Sequence, residues 1–301
     1  MLPTLTIYTP TYNRSQLLPR VYESLCSQTC KDFLWLVVDD GSTDDTAAIV
    51  AQWASEGKLD LQYIHKENGG VHTARDLAYR ICKTELITSV DSDDWLANNA
   101  VEKLLQCWES RQGQNLAGVF VATAFGDGTR ACGAFPPLDA VTYQDFAYKY
   151  HVRGDKHTVL RTDVISALPD SPVYQGENLV GESYKWIQLP DDMPFLILDE
   201  PLYLIDYRDT GYSKSAALNR FRNPNGFRAL YRQYIISAKY LRPRLKGHLG
   251  YIAFSLMLRE RHIVRDSPKP VFTALLMPAG ILIYLRFIAQ RKAAKRDSAF
   301  K

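Results

Sequence analysis

Strand-type and helix-type patterns alternate through about the first 110 residues, and this alternation constrains the fold more than any other feature of the sequence. Short apolar runs predict four strands. A segment with apolar residues at helical spacing follows each run, and Ser15 is expected to cap the first helix. The predicted strands are Leu5–Thr9, Phe33–Val38, Leu61–His65 and Leu86–Val90. Such repetition joins parallel strands through right-handed crossovers, so the predicted fold class is α/β, with a mostly parallel central sheet flanked by helices.

Polar clusters follow each predicted strand at its carboxyl end. They occupy Pro10–Arg14, Asp39–Thr46, Glu67–Gly70 and Asp91–Asp94. The carboxyl ends of parallel strands lie along one edge of a sheet, and folds of this class bind their ligands there. The four clusters are therefore expected to form one binding site.

The charge of the chain is unevenly distributed. Residues 1–209 hold 17 Lys and Arg against 30 Asp and Glu, a net charge of −13, whereas residues 210–301 hold 19 against 3, a net charge of +16. A basic region of this kind faces phosphates, an anionic membrane or nucleic acid. The apolar run Val271–Leu285 within it favours a membrane surface and argues against nucleic acid, although a core helix packed on the sheet domain is an alternative. The predicted domains are 1–210, catalytic, and 211–301, a helical, basic and membrane-associated extension.

The acidic cluster Asp91-Ser92-Asp93-Asp94 directly follows an apolar strand. Two carboxylates one residue apart at a strand end are able to share a divalent cation, and such hard oxygen ligands suit Mg²⁺ or Mn²⁺. The structural alternative is a helix start, with Asp94 capping a helix at Trp95. That alternative accounts for one aspartate only, and the residues by themselves leave both interpretations open.

Two further clusters combine polar residues with glycine. In Asp39–Asp44 an aspartate is able to accept a hydrogen bond from a base or a ribose, while a turn and a helix cap explain the residues after it. In Asn68-Gly69-Gly70 the glycines let the backbone approach a ligand, and Arg75 lies one turn into the next helix, within reach of a phosphate. Neither the dinucleotide-binding fingerprint nor the P-loop pattern occurs.

Taken together, the clusters resemble those of the family 2 glycosyltransferases, which have the nucleotide-diphospho-sugar transferase fold. The segments Thr9–Arg14, Asp39–Asp44, Asn68–Gly70 with Ala74-Arg75, and Asp91–Asp94 occur in the order and spacing of that family. The resemblance implies a glycosyltransferase A-type fold, a nucleoside-diphosphate sugar with UDP as the expected carrier, and Mn²⁺ or Mg²⁺ held by Asp93 and Asp91. The residues that it implies for donor binding are Pro10, Thr11, Tyr12, Arg14, Asp40, Asn68, Gly69, Gly70, Arg75, Asp91 and Ser92.

The resemblance also implies a general base, which inverting transfer requires to activate the acceptor hydroxyl. Members of the family carry it in an acid pair just before a short helix. Gly181-Glu182-Ser183 occupies that place, so Glu182 is the predicted base, with Glu177 as its rival. The structural alternative for Glu182 is stabilisation of a helix N-terminus. The stretch Lys156–Tyr184 resembles a branch that builds bacterial surface polysaccharides, which implies a carbohydrate or lipid-linked acceptor.

Two other functions remain as alternatives. A nucleotidyltransferase of related fold would carry a glycine-rich first loop, which Thr9–Arg14 is not. A non-catalytic membrane scaffold would show decayed acidic motifs, whereas these are intact. The first residues lack the pattern of a signal peptide, so we expect a cytoplasmic protein that is peripherally associated with the inner face of the cell membrane.

Overall fold

The computed structural model describes residues 3–111, 113–206 and 216–299. The chain divides into two compact units. The first, the sheet unit, comprises Met1–Asp170 and Leu189–Asp206, and the second, the helical unit, comprises Ser171–Gln188 and Tyr207–Lys301. The sequence analysis placed a single boundary at residue 210. In the structure Ser171–Gln188 instead belongs to the helical unit, since its hydrogen bonds reach residues 223–226.

A nine-stranded sheet forms the centre of the described part of the sheet unit. Its strands are β1 (Leu5–Thr11), β2 (Phe33–Asp39), β3 (Leu61–His65), β4 (Leu86–Ser89), β5 (Trp95–Leu96), β6 (Gly118–Phe125), β7 (Ala140–Val141), β8 (Lys156–Arg161) and β9 (Phe195–Ile205). The order is β3-β2-β1-β4-β8-β6-β9-β5, and β7 pairs with β9. β1 pairs in parallel with β2 and β4, and all its residues are buried, which explains its apolar composition.

The second half of the sheet is mixed. β8 runs antiparallel between β4 and β6, while β6 and β9 are parallel. Gly118 permits the close pairing of β6 with β8, because its φ is +151° and a Cβ there would lie 2.0 Å from the carbonyl oxygen of Val159. The α/β fold is therefore confirmed, and the sheet, which was expected to be mostly parallel, is mixed, with β5, β7 and β8 reversed.

The described part of the sheet unit contains five α-helices, and a π-helix covers Asp145–Lys149. The α-helices are α1 (Leu18–Cys26), α2 (Thr46–Glu56), α3 (Val71–Ile81), α4 (Ala100–Glu109) and α5 (Thr162–Ser166). One local prediction and one structural alternative are wrong. Ser15 does not cap α1, because Leu17 occupies that position and a proline lies in the first turn. Asp94 does not cap a helix at Trp95, because Trp95–Leu96 is β5 and α4 begins at Ala100.

The helical unit consists of helices that pack closely through glycines. They are α6 (Ser183–Trp186), α7 (Ala216–Arg222), α8 (Pro224–Ser237), α9 (Leu241–Met257) and α10 (Pro270–Ala299). A Cβ at Gly250 would lie 2.4 Å from the ring of Tyr231 on α8, and a Cβ at Gly280 would lie 2.5 Å from Ile252 on α9. These positions let α9 pack directly against α8 and α10, which confirms the expected helical C-terminal extension.

The two faces of α10 differ. On one face Thr273 is buried, and its hydroxyl lies 2.9 Å from Nδ1 of His248 and 2.6 Å from Oγ of Ser267. The other face carries large exposed apolar side chains, namely Val271, Phe272, Leu275, Leu282 and Leu285. The 22 residues Pro270–Arg291 are long and apolar enough to cross a membrane, by length and composition alone. Only one side of α10 therefore packs within the helical unit.

Candidate active site

The loops that follow β1 and β2 are fastened to each other by hydrogen bonds. Asn13, which has a left-handed φ of +51°, accepts the N–H of Thr43 at 2.8 Å and donates its own N–H to Oγ of Ser42 at 2.8 Å. The N–H of Ser15 donates to Oδ2 of Asp44 at 3.0 Å. Burial works against ionisation of Asp44, but hydrogen bonds from Thr46 and Ser15 outweigh it and lower the pKa of Asp44 to about 2. Asp44 is therefore a structural anion that joins these two loops.

Asp40 organises the glycine loop after β3. Its buried carboxylate accepts the N–H groups of Gly69 at 3.0 Å and Gly70 at 2.7 Å, and Lys66 Nζ lies 2.5 Å from Oδ1. The Asn68 side chain donates to the backbone oxygen of Asp40 at 2.7 Å. The structure thus brings four of the predicted donor-binding residues together. Lys66 was missed by the sequence analysis, because nothing in its surroundings distinguishes it from other loop lysines.

The predicted residues at the end of β1 differ in exposure. Pro10 and Thr11 are buried, and the hydroxyl oxygen of Thr11 has no hydrogen-bond partner among the described residues. Tyr12, in contrast, exposes 49% of its surface. Of these three residues, the Tyr12 ring is therefore the side chain that is most accessible to a ligand.

The loop Asp91–Asp94 concentrates negative charge directly after β4. Asp91 is exposed, Ser92 is buried, and the side chain of Asp93 is 24% exposed. Burial, followed by the charges of Asp91 and Asp93, raises the pKa of Asp94 to about 8. A bound divalent cation would favour the ionised form of these carboxylates.

The donor set of this loop fits a hard divalent cation. Asp91 and Asp93 supply carboxylate oxygens, which are the ligands that Mg²⁺ and Mn²⁺ prefer. Within the described ranges no group of three or more His, Cys, Asp or Glu side chains is arranged to hold a metal by itself. Two carboxylates would leave coordination positions for the oxygens of a diphosphate, as the sequence analysis expects.

Two arginines converge on Asp93. Nη1 of Arg14 lies 3.5 Å from Oδ2 of Asp93, while Nη2 of Arg20 on α1 donates to the backbone oxygen of Asp93 at 2.8 Å. The sequence analysis predicted Arg14 as a site residue and missed Arg20, since its position on the polar side of a helix does not indicate its partner. The predicted residue Arg75 lies on α3 and is partly exposed.

The two candidate bases belong to the helical unit and differ in their contacts. Glu177 Oε1 accepts the backbone N–H of Asn225 at 2.9 Å and its side-chain amide at 2.8 Å, and Oε2 accepts the N–H of Gly226 at 2.8 Å. Its carboxylate thus caps the N-terminus of α8. Glu182 is exposed and directly precedes α6, without a side-chain hydrogen bond to cap that helix. The contacts of Glu177 therefore assign it a structural role, and Glu182 is the more exposed of the two residues.

The family profile of glycosyl transferase family 2 matches residues 6–163, which are more than half of the chain. The chain therefore belongs to this family, and the resemblance of its motifs is confirmed. Membership favours glycosyl transfer over the nucleotidyltransferase and scaffold alternatives.

Two curated relatives illustrate the extent of the similarity. The chondroitin synthase of Escherichia coli is 38% identical over 120 residues, which are 40% of this chain and 17% of that protein. The glycosyltransferase GlyG of Streptococcus pneumoniae is 30% identical over 129 residues, which are 42% of each chain. The chain thus matches less than half the length of either relative.

Two solved structures share the fold. TarS 1–349 from S. aureus, in complex with UDP-GlcNAc, has a TM-score of 0.62 at 18% identity, covering 87% of this chain and 76% of that one. The mannosyltransferase PcManGT from Pyrobaculum calidifontis, in complex with GDP-Man and Mn²⁺, has a TM-score of 0.55 at 17% identity, covering 96% of this chain and 83% of that one. The similarity confirms the expected glycosyltransferase A-type fold.

The cap at Glu177 leads to a stability prediction. Glu177→Gln removes the charge and one acceptor oxygen at the N-terminus of α8, so we expect the free energy of unfolding to fall by about 1 kcal/mol. Urea unfolding monitored by circular dichroism measures this change. Glu182→Gln is the matched control and should unfold like the wild type. Equal stability of both variants would show that the Glu177 contacts contribute nothing.

Proposed function

We propose that this protein transfers a sugar, with inversion, from a nucleoside-diphosphate sugar, with UDP as the nucleotide carrier, to an acceptor hydroxyl. The observation that carries the proposal is the pair of carboxylates Asp91 and Asp93 directly after β4, on the same sheet edge as the Asp40-organised glycine loop. A diphosphate is a ligand whose oxygens a divalent cation on two carboxylates binds. The donors named with TarS and PcManGT, UDP-GlcNAc and GDP-Man, belong to this chemical class.

The predicted site residues of the sheet unit have distinct roles in this proposal. The exposed ring of Tyr12 and the glycine loop held by Asp40 bind the nucleoside. Arg14 orients the diphosphate, since a guanidinium matches phosphate oxygens in geometry and charge. Asp93 and Asp91 would hold Mn²⁺ or Mg²⁺, which when bound offsets the charge that develops on the departing diphosphate.

Glu182 is the proposed general base. The acceptor hydroxyl must lose its proton as it attacks the anomeric carbon, and an accessible carboxylate is able to accept that proton. The hydrogen bonds of Glu177 to α8 support Glu182 over Glu177, because three N–H donors already engage the Glu177 oxygens.

Asp93→Asn should lower the rate of transfer on the order of 10²–10³-fold, because it weakens the compensation of charge on the leaving group. The measurement is nucleotide release from a panel of UDP-sugars with Mn²⁺. Asp163→Asn is the matched control, because Asp163 is an exposed carboxylate paired with Arg161. Arg161 lies opposite Leu86 at the start of β4, whereas the loop Asp91–Asp94 follows the end of that strand. Activity in Asp93→Asn, or full wild-type activity in excess chelator, would contradict metal dependence.

Glu182→Gln should lower transfer on the order of 10²–10⁴-fold while donor binding is unchanged, since an amide does not accept the acceptor's proton. Donor binding is measured by calorimetry and transfer by product formation. If Glu177→Gln loses transfer at unchanged stability and Glu182→Gln keeps it, the assignment of the base is wrong.

The acceptor in this proposal is a lipid-linked oligosaccharide of bacterial surface polysaccharide synthesis, reached at the inner face of the membrane. The exposed apolar face of α10 supports membrane contact, because exposed stripes of this kind mark membrane or protein interaction sites. Arg286 and Arg291 are exposed near the end of the apolar stretch. Each such residue adds about 1 kcal/mol of attraction to an anionic leaflet.

The packing of α10 favours a position in the membrane interface over a spanning helix. α9 covers α10 from Thr273 to Phe287, so a spanning α10 would carry α9 with it into the bilayer. The first turns of α9 expose Arg242, Arg244 and Lys246. Each of these charges would cost about 2.5–3.5 kcal/mol in the bilayer core. An interfacial helix buries only its free apolar face and keeps the charges in water.

Replacing Leu275, Leu282 and Leu285 together by serine should weaken binding to phosphatidylglycerol vesicles by about 10-fold or more, because three exposed apolar side chains are lost without disturbing the face on α9. Vesicle sedimentation at several salt concentrations measures this. Leu138→Ser is the control, since Leu138 is 41% exposed on the sheet unit. A wild-type chain that ignores anionic vesicles at low salt, or a triple variant that binds like it, would disprove the membrane contact.

A further inference from the structure

The guanidinium group of Arg20 contacts three parts of the sheet unit at once. Its Nη2 donates to the backbone oxygen of Asp93 at 2.8 Å and lies 3.4 Å from Oδ2 of Asp206 at the end of β9. Its central carbon lies 4.1 Å from the centroid of the Trp95 ring. Arg20 therefore ties α1 to residues on both sides of Asp94 and to the strand that pairs with β5.

Asp206 reinforces this arrangement from the other side. Its carboxylate pairs with the same guanidinium group that holds the backbone oxygen of Asp93, so Arg20 joins the acidic loop to the end of β9. We propose that Arg20 is a positioning residue that holds the Asp91–Asp94 loop in the conformation that binds a divalent cation together with a nucleoside diphosphate. This inference rests on the proposed function, which gives Asp93 and Asp91 to that cation.

The need for such a residue follows from the charges of the loop. Asp91 and Asp93 lie only two residues apart, and the mutual repulsion of their carboxylates opposes the convergence that a shared cation requires. Arg20 bonds to the backbone oxygen of Asp93, so it fixes the main chain and leaves the carboxylate to the metal. Partners behind metal ligands of this kind change metal affinity by about 10–100-fold when they are removed. Arg14, which touches the carboxylate itself, does not have this role.

A simple counter-charge is the competing explanation, and a lysine separates the two. Lysine keeps the positive charge but has neither the planar fork that reaches Asp93 and Asp206 together nor the flat face that stacks on Trp95. If the geometry of the guanidinium group is required, Arg20→Lys has the same affinity for Mn²⁺ as Arg20→Gln. If only the positive charge is required, Arg20→Lys has the affinity of the wild type.

The experiment measures UDP binding by calorimetry, with and without Mn²⁺, in the full chain and in Arg20→Gln, Arg20→Lys and Arg80→Gln. Arg80 is the matched control, because it lies in the last turn of α3 and pairs with Asp170 at 2.9 Å. We expect Mn²⁺ to tighten UDP binding in the wild type and in Arg80→Gln. In both Arg20 variants UDP should bind as in the wild type without metal, and the apparent affinity for Mn²⁺ should fall by about 10–100-fold.

UDP binding without metal also serves as the test of folding. A parallel loss of metal-free UDP binding in both Arg20 variants would show a general structural role and overturn the inference. Wild-type affinity for Mn²⁺ in Arg20→Lys would show a simple counter-charge and overturn it as well. If the wild type itself gains nothing from Mn²⁺, the proposed metal-dependent transfer fails and this inference fails with it, whereas a gain that Arg20→Gln retains overturns the inference alone.

Discussion

The parallel pairing of β1 with β2 and β4 is the constraint on which the candidate site depends. Thr11 lies opposite Asp39 in this register, and the N–H of Asp40 still bonds the carbonyl of Thr11 at 2.8 Å beyond the paired strands. The register is strict because both faces of these strands are buried, so that a slip of one residue would exchange the two faces. Polar clusters separated by dozens of residues in the sequence therefore meet at one edge of the sheet.

The two acidic clusters at that edge are neutralised to different degrees. Asp40 has a lysine and two backbone N–H groups around its carboxylate, so its charge is used within the protein to shape the glycine loop. In the loop Asp91–Asp94, in contrast, Asp91 is exposed and the side chain of Asp93 is 24% exposed, with Arg14 at 3.5 Å from its carboxylate. The carboxylates at the end of β4 are therefore more accessible than that of Asp40 at the end of β2, which is why the proposed function places the cation there.

The parts of this structure that could be predicted from the sequence are those fixed by local patterns. β1, β2 and β4 are mostly buried and were predicted from their apolar residues, whereas the more exposed β3 was predicted from its place in the strand–helix alternation. β8 escaped prediction because its sequence is not continuously apolar and its position depends on pairing with β4 and β6. The capping role of Glu177 escaped for a similar reason, since the N-terminus of α8 that it caps lies 48 residues further along the chain. Long-range polar contacts leave no periodic signal in a single sequence.

The separation of charge along the chain connects the chemistry of the sheet with the proposed membrane contact. A site built on acidic loops needs a negative surrounding to attract a divalent cation, but a net charge of −13 in residues 1–209 also repels an anionic leaflet. The net charge of +16 in residues 210–301 offsets that repulsion without placing cations beside the acidic loops in sequence. Electrostatic attraction of this kind acts over about 10 Å in 0.1 M salt and precedes apolar contact. In the proposed membrane contact, the exposed face of α10 then adds a short-range apolar contribution to binding, which salt does not screen. Varying the ionic strength therefore separates the electrostatic from the apolar contribution.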